Sequence, residues 1–351
     1  MWVDAYDIGP IRPPSEANSL LIRVNRNCPW NRCAFCTVYK GETFERKSVD
    51  EVLGDIDRAA EFFGARAASI RTAFLQDANA LLMSVPDMLR VLERLKRKFP
   101  AVERITSYGR ASTVARRTVR ELAELNRAGL ARLHMGLESG SPAVLKLMNK
   151  GTTQEQLIQA GRKVREAGIS LSYYVMPGLG GRELWREHAL ETAAVINAVN
   201  PDFVRLRTLS VRPDSPLRDL ADSGAFAIPG EADMVREIRL MIETISGVSS
   251  TLVSDHMLNL LQEIQGRFPE DRPAMLETCD RFLALSPDEQ EHFIIGARTR
   301  IYFSLDDMRN PVLNERVREA QREIARAIET DPAHRGLDAQ AFIRKLMENV
   351  I

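Results

Sequence analysis

Short apolar runs alternate with longer stretches in which apolar residues return at helical spacing, and the alternation repeats from Leu20 to about Thr208. Leu20–Val24, Ser69–Leu75, Arg104–Tyr108, Arg132–Leu137, Ile169–Met176 and Phe203–Thr208 read as strands. Val49–Phe63, Val85–Phe99, Val114–Ala128, Gln154–Ala167 and Glu187–Val199 read as the amphipathic helices between them. Pro100 stops the second helix, and Gly129 and Gly168 stand where helices end. Strands separated by helices pair in parallel through right-handed crossovers. Two α/β architectures satisfy this pattern, a doubly wound open sheet and a partial barrel.

The polar positions inside the strands refine the picture. A parallel strand covered on both faces is apolar throughout, yet Arg132, His134, Gly136 and Glu138 alternate with Leu133, Met135 and Leu137. Arg205 and Arg207 alternate with Val204 and Leu206, and Arg23 and Asn25 with Ile22 and Val24. With a side-chain period of two, the apolar set faces the helices and the polar set faces a lumen. Arg23, Arg71, Arg132, Arg205 and Arg207 would then bring positive charge inside, to be met by a bound anion or by an internal ion-pair network. After the turn-rich Arg212–Pro216 the chain turns mostly helical, over Asp233–Ser246, Asp255–Gln265, Arg272–Leu285, Pro287–Arg300, Pro311–Glu329 and Leu337–Val350. The expected division is a barrel over residues 1–228 and a helical accessory region over 229–351.

Charge narrows the partners. Lys and Arg number 48 against 48 Asp and Glu, so no basic field marks a nucleic-acid or anionic-membrane surface. A small-molecule substrate is expected, with no nucleic acid and no membrane partner. No apolar run approaches the ~20 residues that span a bilayer. Met1–Asp7 carries early acids and lacks the cationic start and apolar core of a secretory signal. Four cysteines, three of them adjacent, suit a reducing cytoplasm better than a disulfide framework.

Those three, Cys28, Cys33 and Cys36, stand in Cys28-Pro29-Trp30-Asn31-Arg32-Cys33-Ala34-Phe35-Cys36. Pro29, Asn31 and Arg32 mark a loop, which fits metal-binding thiolates better than packed core residues. A structural zinc site wants a fourth Cys or His, and the first histidine after the loop is the distant His134. A four-iron cluster can be held by three thiolates when a substrate takes the remaining iron.

This loop after a first strand, closed by Cys-aromatic-Cys, resembles the radical S-adenosylmethionine (radical SAM) superfamily, with four residues rather than the commoner three between the first two cysteines. Met135-Gly136-Leu137-Glu138-Ser139-Gly140-Ser141 with Val144–Thr153, and the Gly-rich Tyr173–Gly181, resemble the oxygen-independent coproporphyrinogen oxidase, Elongator and methylthiotransferase branch. The resemblance covers the strand–helix repeats and stops there. It implies a partial (β/α)6 TIM-like barrel with a mostly helical C-terminal region, a [4Fe–4S] cluster on Cys28, Cys33 and Cys36, and S-adenosylmethionine as partner to the open iron. A flavodoxin- or ferredoxin-type donor would supply one electron, and the cleaved cofactor would abstract hydrogen from an unidentified, anionic small molecule.

The resemblance also nominates cofactor-binding residues. Phe35 would meet the adenine, Glu138 the ribose or methionine moiety, Asp77 the ammonium, and Lys150 or Arg207 the carboxylate. Each has a plainer alternative: a hydrophobic plug, a helix cap, a turn residue or a solvated cation. Tyr108 and Tyr174 would line the substrate space or pack. Cys279 reads as a buried thiol or a hydrogen-atom donor, and His256 as an acid–base group beside the helix cap Asp255. No cysteine-bearing domain precedes Leu20, so a methylthiotransferase is not expected. Coproporphyrinogen dehydrogenation is the named alternative, although Thr37 stands where those enzymes carry a further cysteine. A non-catalytic iron–sulfur or haem carrier or sensor is the alternative outside enzymes.

Overall fold

The protein is represented by a computed structural model that describes residues 5–330, 334 and 336–347. Its strands are β1 (Leu20–Arg23), β2 (Asn25–Arg26), β3 (Glu45–Arg46), β4 (Thr72–Gln76), β5 (Arg104–Tyr108), β6 (Leu130–Glu138), β7 (Ser170–Val175), β8 (Phe203–Leu206), β9 (Thr251–Val253) and β10 (Gly266–Arg267). Eight of them form one sheet in the order β1-β4-β5-β6-β7-β8-β9-β10, and β2 and β3 make a separate antiparallel pair. Pairing is parallel from β1 through β6 and antiparallel between β9 and β10. Each successive strand joins the same edge. A doubly wound sheet would reverse direction at a switch point, so this order selects the barrel-like α/β arrangement of the two that the sequence allowed. Between β5 and β6 the register slips by one residue, Ala131, a bulge at the start of β6.

Helices begin where the sequence caps them. Ser48 with Glu51, Thr118 with Glu121, and Thr153 with Gln156 each close a reciprocal capping box, opening the helices Val49–Phe63, Val119–Ala128 and Gln154–Glu166. The Thr118 box also explains why the helix expected from Val114 is split. A short turn, Ala111–Val114, ends first, and Thr118 starts the helix afresh.

The chain divides into two compact units. Among the described residues, the first takes those of 1–137, 145–174 and 198–203, and the second those of 138–144, 175–197 and 204–351. In the first unit Ile22, Leu75 and Leu133 are fully buried, as are Val52, Ile56, Val91 and Leu122 from the helices. By register Leu75, Ser107 and Leu133 share one face and Phe74, Thr106 and Arg132 the other, so the face that carries the polar set also carries the apolar Phe74.

The second unit is mostly helical, with Glu231–Thr244, Arg272–Leu283, Pro287–Arg298, Pro311–Thr330 and Ala339–Met347 matching the expected series. Residues 348–350 of the last predicted helix, and the Met1–Asp4 part of the N-terminal reading, lie outside the described residues. The helix expected over Asp255–Gln265 is absent; this stretch turns between β9 and β10. Asn259 supplies the reason. Its amide donates to the Leu206 carbonyl at 2.9 Å and accepts from the Thr208 N–H at 2.9 Å, binding the backbone that leaves β8 instead of serving a helix. The sequence reading also missed the short helices Pro142–Leu147 and Pro216–Asp222. No described helix is long and apolar enough to cross a membrane.

Gly140 and Gly54 bracket the tolerance of this packing. A Cβ at Gly140 would run into the carbonyl oxygen of Glu191, which is backbone and cannot swing away, whereas at Gly54 it would meet only the end of the Arg58 side chain. Gly140→Ala is expected to destabilise by about 2 kcal/mol or more. Gly54→Ala, mid-helix, is expected to stabilise by about 0.5–1 kcal/mol. Urea midpoints of the two variants that moved in the same direction would contradict this account.

Candidate metal centre

The cysteine loop runs between β2 and β3. Asn27 and Asn31 on either side of Cys28 adopt left-handed backbone, with φ of 68° and 43°, a conformation asparagine tolerates better than most residues. Cys33 is buried, Cys28 and Cys36 are half-buried, and none of the three is in a disulfide. The Asn31 N–H points to Cys28 Sγ at 3.4 Å. Among the described residues no three Cys, His, Asp or Glu side chains gather as a single metal ion would require. A four-iron cluster has no such requirement, because each thiolate binds a different iron. Three sulfur donors without oxygen or nitrogen among them are the donor set such a cluster takes, so the residues fit the group.

A second segment clasps this loop. The Ala34 N–H donates to the Met148 carbonyl at 2.9 Å, and Trp30 Nε1–H to the Asn149 carbonyl at 2.7 Å. Trp30 also covers Gly151, where any Cβ would enter the indole ring. The Arg32 and Arg110 guanidinium groups each lie 5.4 Å from the Trp30 ring, and Arg110 donates to the Lys150 carbonyl at 3.0 Å. Lys150 Nζ stands 5.6 Å from the Phe35 ring. Phe35 and Lys150, both nominated from the sequence, are thus neighbours. Trp30 was not nominated, although its place between the first two cysteines was the available signal.

Asp77 has a different situation from the one expected. It is 1% exposed, and its Oδ2 accepts from Arg23 Nε at 2.8 Å and the Asn27 N–H at 3.2 Å, while Oδ1 accepts from the Tyr39 hydroxyl at 3.1 Å. It caps no helix, and its oxygens already serve a network. Arg23 continues to Asp7 at 3.1 Å, Asp7 pairs with Arg26 at 2.8 Å and Lys47 at 3.0 Å, and Lys47 also pairs with the buried Asp55. Burial raises the Asp7 carboxyl, but Lys47 and Arg23 outweigh it and hold it below the usual carboxylate range. Burial and the Asp77 charge push the Tyr39 phenol well above its ordinary value.

The expectation of a cationic lumen meets the same correction. Arg23 is paired as described, and Arg205 is paired with Asp255 at 2.8 Å. Arg71 is exposed beside Glu103 at 3.2 Å rather than facing inward. Arg132 lies 4.6 Å from the Phe203 ring and donates to Ser170 Oγ at 3.4 Å. The internal network was the correct alternative for Arg23 and Arg205.

Tyr108 and Tyr174 belong to a column of rings, one from each of four successive strands. Phe74 lies 4.9 Å from Tyr108, His134 lies 6.1 Å from Tyr108, and Tyr174 lies 5.6 Å from His134. His134 and Glu16 are both fully buried, 3.6 Å apart.

In the second unit Glu138 ends β6 in left-handed backbone, φ 57°, and its carbonyl accepts from the Met176 N–H at 3.0 Å. The two glycine-bearing segments that follow β6 and β7 are held by His188 and Glu237, which sequence reasoning passed over. His188 Nε2 lies 3.1 Å from the Met176 carbonyl, so the ring proton sits there, and Nδ1 accepts from Ser139 Oγ at 2.8 Å. Glu237 accepts from the Gly178 N–H at 2.9 Å and lies 3.3 Å from His188. Burial drives His188 down to about 4 and Glu237 up to about 8, so both are uncharged at neutral pH.

Arg207 is half-buried, and its charge together with burial lowers His256 to about 4, burial being the larger cause. His256 stands in a turn, not beside a helix cap, and its Nδ1 accepts from the Leu258 N–H at 3.2 Å. Cys279 is fully buried and its thiol is pushed up to about 12 by burial, which leaves it a packed core residue.

Comparison with known proteins agrees with the motif reading. Residues 22–193 match the sequence profile of the Radical SAM superfamily. The chain is 30% identical over 200 residues to a tRNA-2-methylthio-N(6)-dimethylallyladenosine synthase of Chlorobium phaeobacteroides, covering 56% of this chain and 43% of the relative. It is 26% identical over 304 residues to the synthase of the same name from Prosthecochloris aestuarii, covering 84% and 65%. It thus spans less than two thirds of either relative. Among solved structures, coproporphyrinogen III oxidase of Escherichia coli is similar with a TM-score of 0.44 and 14% identity over 95% of this chain and 90% of that one.

Two outcomes are expected from these networks. Arg23→Ala strands the buried Asp77 carboxylate and should cost on the order of 3 kcal/mol in urea unfolding; a loss below about 1 kcal/mol would contradict the pairing. Glu237 has a folded-state pKa above its unfolded value of 4.5, so its contribution is intact below that value and is lost as pH rises toward about 8. Glu237→Gln, which mimics the protonated acid, should leave stability at about pH 4 unchanged and flatten the decline from there toward pH 8, by up to about 1.4 kcal/mol per pH unit. Parallel stability–pH curves for the two proteins would sink the assignment of a neutral Glu237.

Proposed function

Residues 22–193 form a radical SAM domain, and from that premise we propose that this enzyme abstracts a hydrogen atom from a small-molecule substrate. The cofactors are a [4Fe–4S] cluster and S-adenosylmethionine. When bound, they supply one-electron reductive cleavage of the sulfonium, which ends in methionine and 5′-deoxyadenosine once a substrate hydrogen has been taken. Cys28, Cys33 and Cys36 hold the cluster. The observation that carries this reading is the set of three cysteines on one loop, none in a disulfide, clasped by the Met148–Gly151 segment.

The remaining residues bind, orient and exclude water. Phe35, between two of the thiols, offers an apolar surface and a backbone edge to the adenine. Lys150, held beside Phe35, offers a cation to the methionine carboxylate. Glu138 and Arg207 are the other two residues that the sequence nominates for the cofactor. Asp77 acts through Arg23 and Tyr39, holding the base of the loop rather than the cofactor. An electron donor of flavodoxin or ferredoxin type completes the system.

The similarity to tRNA methylthio-synthases favours a second reading, in which the substrate is a tRNA base. The balanced charge of the chain favours the small molecule. The coproporphyrinogen reading loses part of its support, because Arg23 and Arg205 are paired and Arg71 is exposed.

Anaerobic reconstitution with iron and sulfide, followed by dithionite and S-adenosylmethionine, is expected to yield 5′-deoxyadenosine. Cys33→Ala should reduce the yield to that of the protein-free blank. A loaded cluster that never cleaves S-adenosylmethionine, with or without added tRNA, would instead support a carrier or sensor.

A further inference from the structure

Within the second unit the turn after β9 is tied to the end of β8, and that tie brings two hydrogen-bond donors together. Asn259 accepts from the Thr208 N–H at 2.9 Å and donates to the Leu206 carbonyl at 2.9 Å, so it grips the backbone on both sides of Arg207. The Asn259 N–H donates to the His256 carbonyl at 2.9 Å, which fixes His256 in the same turn. Arg207 leaves β8 still extended, its N–H donating to the Val175 carbonyl at 2.9 Å. With a period of two, its side chain follows that of Arg205. Arg205 meets Asp255 at 2.8 Å. The next residue of the turn is His256, whose ring feels the Arg207 charge. This is the end of the strand at which barrel enzymes build their sites.

The two side chains differ in charge and agree in what they offer. His256 Nδ1 accepts from the Leu258 N–H at 3.2 Å, so the ring proton sits on Nε2. Burial and the neighbouring guanidinium keep that ring uncharged at neutral pH. Among the described residues neither the His256 Nε2–H nor the Arg207 guanidinium has a hydrogen-bond acceptor or a carboxylate partner. Asp255, the acid beside them in the chain, is taken by Arg205. Both residues are half-buried, so solvent reaches them. A half-buried guanidinium without a counter-ion is a ready partner for an anion. One cation and one neutral donor match a single carboxylate or phosphate group, whereas a nucleic-acid backbone calls for a row of cations.

We propose that Arg207 and His256 together bind the carboxylate or phosphate group of a small-molecule substrate. As an oxyanion site this stands on the second unit alone; as the substrate's site it rests on the proposed hydrogen abstraction. The methionine carboxylate of S-adenosylmethionine has the same chemistry, but Lys150 in the first unit already offers it a cation beside Phe35.

Titration of the reconstituted full chain with inorganic phosphate, at neutral pH and constant ionic strength in chloride, tests this through proton–nitrogen NMR spectra of its five histidine rings. One ring signal, assigned through His256→Gln, is expected to shift and saturate with a dissociation constant on the order of 1 mM. Arg207→Gln should weaken phosphate at that ring by at least about tenfold. Should that variant fail to fold, Arg207→Lys, which keeps the charge and loses the planar fork, decides by a weakening of at least about threefold. Phosphate is expected to leave the KM for S-adenosylmethionine in 5′-deoxyadenosine formation unchanged. Competition between the two would give the site to the cofactor carboxylate and overturn the substrate assignment. No saturable shift at His256, or an unchanged titration in folded Arg207→Gln, from protein that still makes 5′-deoxyadenosine would overturn the oxyanion site while leaving the proposed activity intact.

Discussion

A loop that carries three thiols close together cannot hold its own shape, and the first unit is arranged around that constraint. The loop has no regular secondary structure around its cysteines and includes two asparagines in left-handed backbone. Its order comes from outside. On one side stands the buried carboxylate of Asp77 with Arg23, Tyr39 and the Asn27 N–H; on the other, Trp30 and Ala34 reach the Met148–Gly151 segment. Buried charges are tolerated only when paired and hydrogen-bonded. This explains why Asp77, Arg23, Asp7, Lys47 and Asp55 occur as a connected series and not as isolated ions.

The second unit meets a similar demand with neutral groups. Ser139, Thr192, His188 and Glu237 satisfy the backbone of two glycine-bearing segments, and full burial keeps the histidine and the glutamic acid uncharged. Neutral donors and acceptors suit tight turns, where a glycine allows backbone to approach backbone and leaves no room for a counter-ion. Gly140, against the Glu191 carbonyl, is such a place.

Much of this was legible in the sequence. Period-two and period-3.6 patterns gave β5 and the Val49–Phe63 helix with their observed bounds, and the clustering of cysteines in one loop marked the candidate metal centre. What the pattern could not give was the choice of partner. Parity says that Arg23 and Arg205 point away from the helices, but not that Asp7, Asp77 and Asp255 will be there to meet them. The Asp255–Gln265 segment has helical spacing of its leucines, yet Asn259 finds better partners in the backbone after β8. His188 and Glu237 lie on helices whose sequence shows only a buried face; their pairing spans a turn that no local signal describes.

The clasp between Trp30 and the Asn149–Gly151 turn has a consequence for how the protein comes to life. Small zinc domains draw much of their folding free energy from the metal, and their chains are shapeless without it. Here the contacts that shape the loop are an indole, two guanidinium groups and backbone amides, all of them supplied by the protein itself. A substitution at Trp30 or Gly151 would therefore disturb the thiol loop while every cysteine stayed in place.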